Sequence, residues 1–134
     1  MATIFSKIAA GEIPSWKVAE SEDFYAFLDI SPLTLGHTLV IPRKVEDDYI
    51  FNLDEKTYAG LWAFARKVAV AVGKAVPCKR VGVAVLGMEV PHTHIHLVPM
   101  QSEGDMDWRK VRPSFTPEKM AETAAAILAE YEKL

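Results

Sequence analysis

Three of the chain's four histidines, His92, His94 and His96, fall inside one run, Pro91-His92-Thr93-His94-Ile95-His96-Leu97-Val98-Pro99. No other feature constrains the chain as tightly. Thr93, Ile95, Leu97 and Val98 are β-branched or apolar and a proline bounds each end, so the spacing predicts a strand over residues 91–99. Residues two apart in a strand share a face. The three imidazoles therefore line one face, with Thr93, Ile95 and Leu97 on the other.

An imidazole is a nucleophile, a proton carrier and a metal ligand near neutral pH. From the residues alone, three readings stay open. In the first, the histidines bind a metal. A strand rises about 3.3 Å per residue, which sets His92 and His96 about 13 Å apart. A metal about 2 Å from each nitrogen then reaches two neighbours more readily than all three. No cysteine lies nearby, and His37 is the only other imidazole. In the second, the strand is half-buried and hydrogen bonds simply satisfy its rings. In the third, His94 attacks a substrate covalently while its neighbours hold it and stabilise negative charge. Neighbouring imidazoles disfavour one another's protonation, which helps keep the attacking ring neutral, while a protonated flanking ring bonds an anion; an anionic phosphoryl group suits such a site.

The whole chain sets wider bounds. At 134 residues, half of them hydrophobic, it is long enough for one globular domain, residues 1–134, with a real core. A net charge of −3 gives no footprint for general nucleic-acid binding. One cysteine, Cys78, excludes an internal disulfide and fits a reducing compartment. No apolar run approaches the roughly 20 residues that span a bilayer, and the first residues lack the apolar segment of a secretory signal. The expectation is a cytoplasmic protein without a membrane partner.

In chain order, Ile4, Phe5, Ile8 and Ala9 have helical spacing over residues 3–10, with Thr3 to cap the helix and Gly11 to stop it. Residues 16–19 and 24–29 read as a hairpin, and 36–42 as a further strand. An acidic connector, 45–53, leads to the longest helix. Asn52 caps it, Phe51 acts as a staple, and Tyr58, Leu61, Trp62, Ala65, Val68, Ala69 and Val72 form its buried stripe before Pro77. Residues 79–86 are another strand. After Pro99 the chain is polar and irregular to Pro113, Trp108 included. Thr116-Pro117 then opens a last helix whose apolar side is Met120, Ala124, Ile127, Leu128 and Tyr131. This order predicts an α+β fold around an antiparallel sheet of about five strands.

The histidine run resembles the His-φ-His-φ-His-φ-φ signature (φ apolar) of the histidine triad (HIT) family of nucleotide hydrolases and transferases. Thr3-Ile4-Phe5-Ser6-Lys7-Ile8, Gly11-Glu12-Ile13-Pro14, Ala26-Phe27-Leu28-Asp29-Ile30-Ser31-Pro32 and His37-Thr38-Leu39-Val40-Ile41-Pro42 resemble the N-terminal half of its Hint-like branch. The resemblance implies a HIT-like fold, a homodimer, a purine nucleotide substrate and no cofactor. It makes His94 the nucleophile at the α-phosphorus of a phosphoramidate or dinucleoside polyphosphate. A nucleotidyl-histidine forms, and water then hydrolyses it. His96 would bond phosphate oxygens. The His92 carbonyl would fix the His94 tautomer. His37 matches a further histidine beside the triad; its other reading is a hydrogen-bonded strand end. Asp29 matches the acid that accepts ribose hydroxyls, or else caps the loop before Ser31-Pro32. Ile4, Phe5, Ile8, Phe27 and Ile30 match the apolar walls around the base, or are ordinary core.

The chain departs from the family where Gly87-Met88-Glu89-Val90 replaces Gly-Gln-Ser/Thr-Val. Met88 cannot donate an amide hydrogen bond. Glu89 stands where a hydroxyl assists the leaving group. It repels phosphate unless protonated or turned away, and protonated it is a general acid. The cysteines of the zinc-binding subset are missing, and Pro42-Arg43-Lys44-Val45 lacks that subset's histidine, so no structural zinc is expected. Two alternatives stand beside the hydrolase: a nucleotide-binding regulator with lost catalysis, and a metal-binding protein using triad histidines. The extension 101–134 either reaches over a partner's site or completes the fold.

Overall fold

The computed structural model describes residues 2–44 and 47–134. The predicted connector is therefore seen from Asp47 onward; Val45 and Glu46 lie outside the described residues. A short helix α1 (Ile4–Ala9) precedes strands β1 (Lys17–Glu20), β2 (Phe24–Leu28) and β3 (Thr38–Pro42). Helix α2 (Glu55–Ala75), strands β4 (Arg80–Ala84) and β5 (Ile95–Met100), and helix α3 (Pro117–Glu132) follow. The five strands form one sheet in the order β1-β2-β3-β5-β4, with every neighbour antiparallel. The fold is α+β, as the element order predicts.

The sheet is covered on both faces, which is why β3 is buried at every position and its alternation is faint in sequence. Helices α2 and α3 cover one face over a core that includes Leu28, Val40, Leu61, Val68, Ile95, Leu97 and Ile127. Helix α1 covers the other, over Phe5, Ile8, Tyr25, Phe27, Leu39 and Ile41. His96 pairs with Leu39 across β3 and β5, so the histidine face is the α1 face. The side chains of Ile95 and Leu97 fill the α2/α3 core, as period two requires.

The strand expected over 91–99 is corrected: regular pairing begins at Ile95 and runs to Met100. Residues 92 and 93 make other bonds. The His92 amide bonds Val90 O at 2.8 Å, and the Thr93 amide bonds Asp47 O at 3.2 Å. Pairing with β3 stops at Val40–Ile95. His92 and His94 thus sit on the approach to β5, outside its ladder. Pro99 lies inside β5, where β3 no longer pairs, and its carbonyl takes the Thr34 hydroxyl at 2.8 Å. That open side tolerates a residue with no N–H.

The helices obey local rules with one shift. Thr3 and Ser6 form a reciprocal capping box on α1, and Gly11 ends it at φ 82°, a conformation glycine adopts freely. Helix α2 starts later than Asn52 predicts. A 3₁₀ turn occupies Ile50–Asn52, and Asp54 is the cap, accepting the Thr57 amide. Phe51 is exposed, with its ring against Tyr49 and Tyr58, instead of stapling the helix. The buried side of α2 also includes Phe64 and Ala71, while Tyr58, Trp62 and Ala69 are half-buried. Phe64 stacks on Phe24 of β2 at 5.7 Å. Thr116 caps α3 with Pro117 in its first turn, as read from sequence. Helix α3 packs on α2 and β1, so this part of the extension completes the core. No helix among the described residues is long and apolar enough to cross a membrane.

Ile127 is fully buried where α3 meets the sheet. Ile127→Ala should therefore cost about 2–5 kcal/mol of unfolding free energy, read from the urea midpoint at constant m. A loss below about 1 kcal/mol would show that α3 does not complete the core.

Candidate active site

A carbonyl oxygen can only accept a hydrogen bond, and a backbone amide can only donate one. These two facts assign the protons on four buried histidines. His94 Nδ1 lies 2.7 Å from the His92 carbonyl, so Nδ1 carries the proton and Nε2 of the neutral ring carries the lone pair. His92 Nε2 lies 2.7 Å from the Pro42 carbonyl and must donate. Its Nδ1 then accepts from the Thr3 hydroxyl, also at 2.7 Å. The Leu33 amide donates to His37 Nδ1 at 3.0 Å, which leaves the His37 proton on Nε2. That nitrogen lies 3.0 Å from His96 Nδ1 and donates to it. The His96 proton is therefore on Nε2.

Neighbouring rings consequently offer opposite chemistry. His94 and His96 meet edge to face with centroids 4.9 Å apart. One offers a lone pair from Nε2, the other an N–H from Nε2. Burial keeps both neutral, so the flanking ring is an uncharged N–H donor in place of the expected protonated one. It pushes His37 and His96 down to about 3, with His96 and His94 respectively adding like-charge repulsion. His94 is also pushed down by burial, opposed by its bond to the His92 carbonyl and by the charges of Asp29 and Glu89.

Asp29 follows β2 at the same place. Its Oδ1 accepts the Ser31 amide at 2.8 Å, so it does cap its loop. Its Oδ2 lies 3.6 Å from His37 Nε2, so it also belongs to the histidine cluster. Burial raises its pKa, opposed by the Ser31 amide and the Arg112 charge. Donor atoms of Asp29, His37 and His96 all lie within 4.8 Å of one another, a spacing at which a metal could be held. The donor chemistry does not fit. With the Leu33 amide on Nδ1, His37 Nε2 holds a proton and has no lone pair to give.

The structure brings together His92, His94, His96, His37, Asp29 and Phe5. The Phe5 ring meets His94 at 5.0 Å and His92 at 6.0 Å. Phe27 stands behind Phe5 at 5.5 Å, and Ile8 is buried in the same cluster. Ile4 and Ile30 are exposed, and Ile30 lines a cavity of about 270 Å³ with Trp16, Arg112 and Phe115. Met88 is 90% exposed and grips nothing. Glu89 is exposed too, yet near enough to favour a charged His94.

Four contributors escaped the sequence reading of the site. In sequence, the Thr3 hydroxyl signals only a helix cap. The Leu33 amide is backbone and has no sequence signal. Trp108 packs edge-on against His96 at 4.6 Å and His37 at 5.8 Å, and a lone tryptophan in a polar stretch was the available clue. Arg112 lies 5.4 Å over the Trp108 ring and donates to Ser31 O, tying the tail to the Asp29 loop.

Comparison with known proteins points one way. The family model described as HIT domain matches residues 10–103. Protein hit of Bacillus subtilis is 34% identical, over 92% of this chain and 90% of its own. Adenosine 5'-monophosphoramidase HNT1 of Saccharomyces cerevisiae is 31% identical over 98% of this chain and 84% of its own. Among solved structures, a Hit-like protein involved in cell-cycle regulation from Bartonella henselae superposes with a TM-score of 0.80. It is 32% identical, covering 96% of this chain and 95% of its own.

Both His37 and His96 have folded values far below the ordinary 6.5, so protons bind the unfolded chain more tightly. Their contribution is complete above pH 6.5 and is lost as the pH falls toward 3. Each ring should cost on the order of 1 kcal/mol per pH unit in that window. Urea midpoints at pH 7 and pH 5 check this, and equal midpoints would show that these rings are not buried in the neutral form.

Proposed function

The chain belongs to the HIT family, and on that footing we propose that it is a nucleotide hydrolase or transferase acting at an α-phosphate through His94. The observation that carries the reading is the 2.7 Å bond from His94 Nδ1 to the His92 carbonyl. It leaves a neutral nucleophile with its lone pair on Nε2, beside a neutral ring whose own Nε2 is a donor.

The reaction follows from those atoms. The His94 lone pair forms a bond to phosphorus as the bond to the leaving group breaks. The leaving group departs with the electron pair, as a phosphate or as an amine that takes a proton from solvent, a proton that the attacking water returns in the second step. His96 donates to a non-bridging oxygen and offsets the charge that builds there. Water then attacks the nucleotidyl-histidine, releases the nucleotide and restores the ring. Splitting one displacement into two is the gain from covalent catalysis. Asp29 Oδ2, the oxygen not held by Ser31, accepts from the ribose hydroxyls. Phe5, Ile8 and Phe27 form an apolar wall for a purine, with Ile4 and Ile30 at its rim. Water is the only co-reactant, and no cofactor is needed.

The substrate class is a purine nucleoside phosphoramidate or a dinucleoside polyphosphate, in a cytoplasmic setting. The HNT1 relative bears the name adenosine 5'-monophosphoramidase, which favours the first. The protein works as a homodimer. Strand β4 is an open edge of the sheet; Val83 on it and Leu86 just after it are exposed hydrophobic residues. Light scattering should give twice the chain mass, and Val83→Glu should return it to one chain. A parent of single-chain mass removes the dimer.

A second reading has its own support. Met88 and Glu89 provide neither an amide nor a hydroxyl beside the triad, which suits a nucleotide-binding regulator with little turnover. An adenosine phosphoramidate assay separates the two. The parent should release AMP, and His94→Asn should lower the rate by at least about a thousandfold. Equal rates would remove His94 as nucleophile. Calorimetric AMP binding without turnover would select the regulator.

A further inference from the structure

Thr3 carries more than the cap of α1. Its hydroxyl oxygen accepts the Ser6 amide at 3.0 Å and donates to His92 Nδ1 at 2.7 Å. The His92 ring is fully buried and its Nε2 donates to Pro42 O. Both ring nitrogens are therefore committed, one to each side. A flipped ring would set carbons where both nitrogens bond, and the other tautomer would set a lone pair against the Pro42 carbonyl, in a buried site where an unmade hydrogen bond is costly.

The position of His92 matters because its own backbone carbonyl holds His94. The sheet cannot hold that carbonyl, since residues 91–94 lie outside the β5 ladder. The peptide unit that carries it is anchored on one side by the Thr93 amide and hydroxyl, which both donate to Asp47 O, and on the other by the clamp on the His92 side chain. We propose that Thr3 is a positioning residue for the reaction: its hydroxyl fixes His92, and through the His92 carbonyl it keeps the His94 proton on Nδ1. The same hydroxyl caps the helix whose Phe5 abuts the His94 ring. Seating of α1 and readiness of the nucleophile are thus one event. The inference rests on the reading of His94 as nucleophile, but its tautomer claim can be tested without turnover.

The test compares Thr3→Val, which removes the hydroxyl at nearly equal volume, with Thr3→Ser, which keeps it. Ser6→Ala is the control, since it loses half of the capping box and leaves His92 alone. In the Val variant, kcat on an adenosine phosphoramidate should fall about tenfold, the scale of one lost hydrogen bond, with KM within about twofold. The ¹⁵N shifts of the His94 ring should move from a single Nδ1–H tautomer toward a mixture. Thr3→Ser should restore both, and Ser6→Ala should change neither. A mere loss of helix stability would move the melting temperature and leave the shifts alone. If the Val variant does not fold, Thr3→Gly replaces it, because glycine is tolerated at a helix cap. An unchanged kcat or unchanged His94 shifts in a folded variant would overturn the proposal. An inactive parent would count against the hydrolase, and the shifts alone would then decide the role of Thr3.

Discussion

A neutral imidazole has one proton and two nitrogens, and whatever holds one nitrogen dictates the other. The His92 carbonyl holds Nδ1 of His94, so a lone pair is left on Nε2. The Leu33 amide holds Nδ1 of His37, and through it Nδ1 of His96, so a proton is left on Nε2 of His96. Two rings of one residue type, two positions apart, come to present a lone pair and an N–H donor. No charge is required for this. The decision is made by the direction of a carbonyl and an amide, groups that every residue carries.

The scheme needs burial, because water would let each ring exchange its proton and turn. The α1 face supplies it. Phe5, Leu39 and Trp108 surround the rings with apolar or aromatic surface. The same desolvation drives His37 and His96 far below the ordinary histidine range. The burial that keeps the rings neutral also makes protonation of them unfavourable in the folded chain.

The departures from the family pattern lie on the exposed side of the site. Met88 and Glu89 are exposed on the loop leading into the triad, whereas Trp108 packs against His96 with Arg112 over its ring. Arg112 links that ring to the Asp29 loop by its bond to Ser31 O. The segment after β5 thus has two parts. Residues around 108–112 line the site, and α3 completes the helical layer behind the sheet.

The α+β class, the caps at Thr3 and Thr116 and the gathering of three histidines were all legible in the chain. Those features arise from spacing and from residue chemistry within a few positions, which a sequence displays directly. Other features were out of reach. The late start of α2 depends on a 3₁₀ turn that competes with Asn52 for the same backbone. The retreat of the strand from residue 91 to residue 95 depends on where β3 stops pairing. The protons on His92, His37 and His96 depend on Pro42 and Leu33, brought against the histidines only by folding, whereas that on His94 rests on the His92 carbonyl two residues away, as the family resemblance implied. Sequence alone determined that three imidazoles would gather on one side of the chain. The tertiary structure decided which nitrogen of His92, His37 and His96 would hold its proton, because backbone donors and acceptors have no letter in the sequence and acquire direction only when the chain is folded.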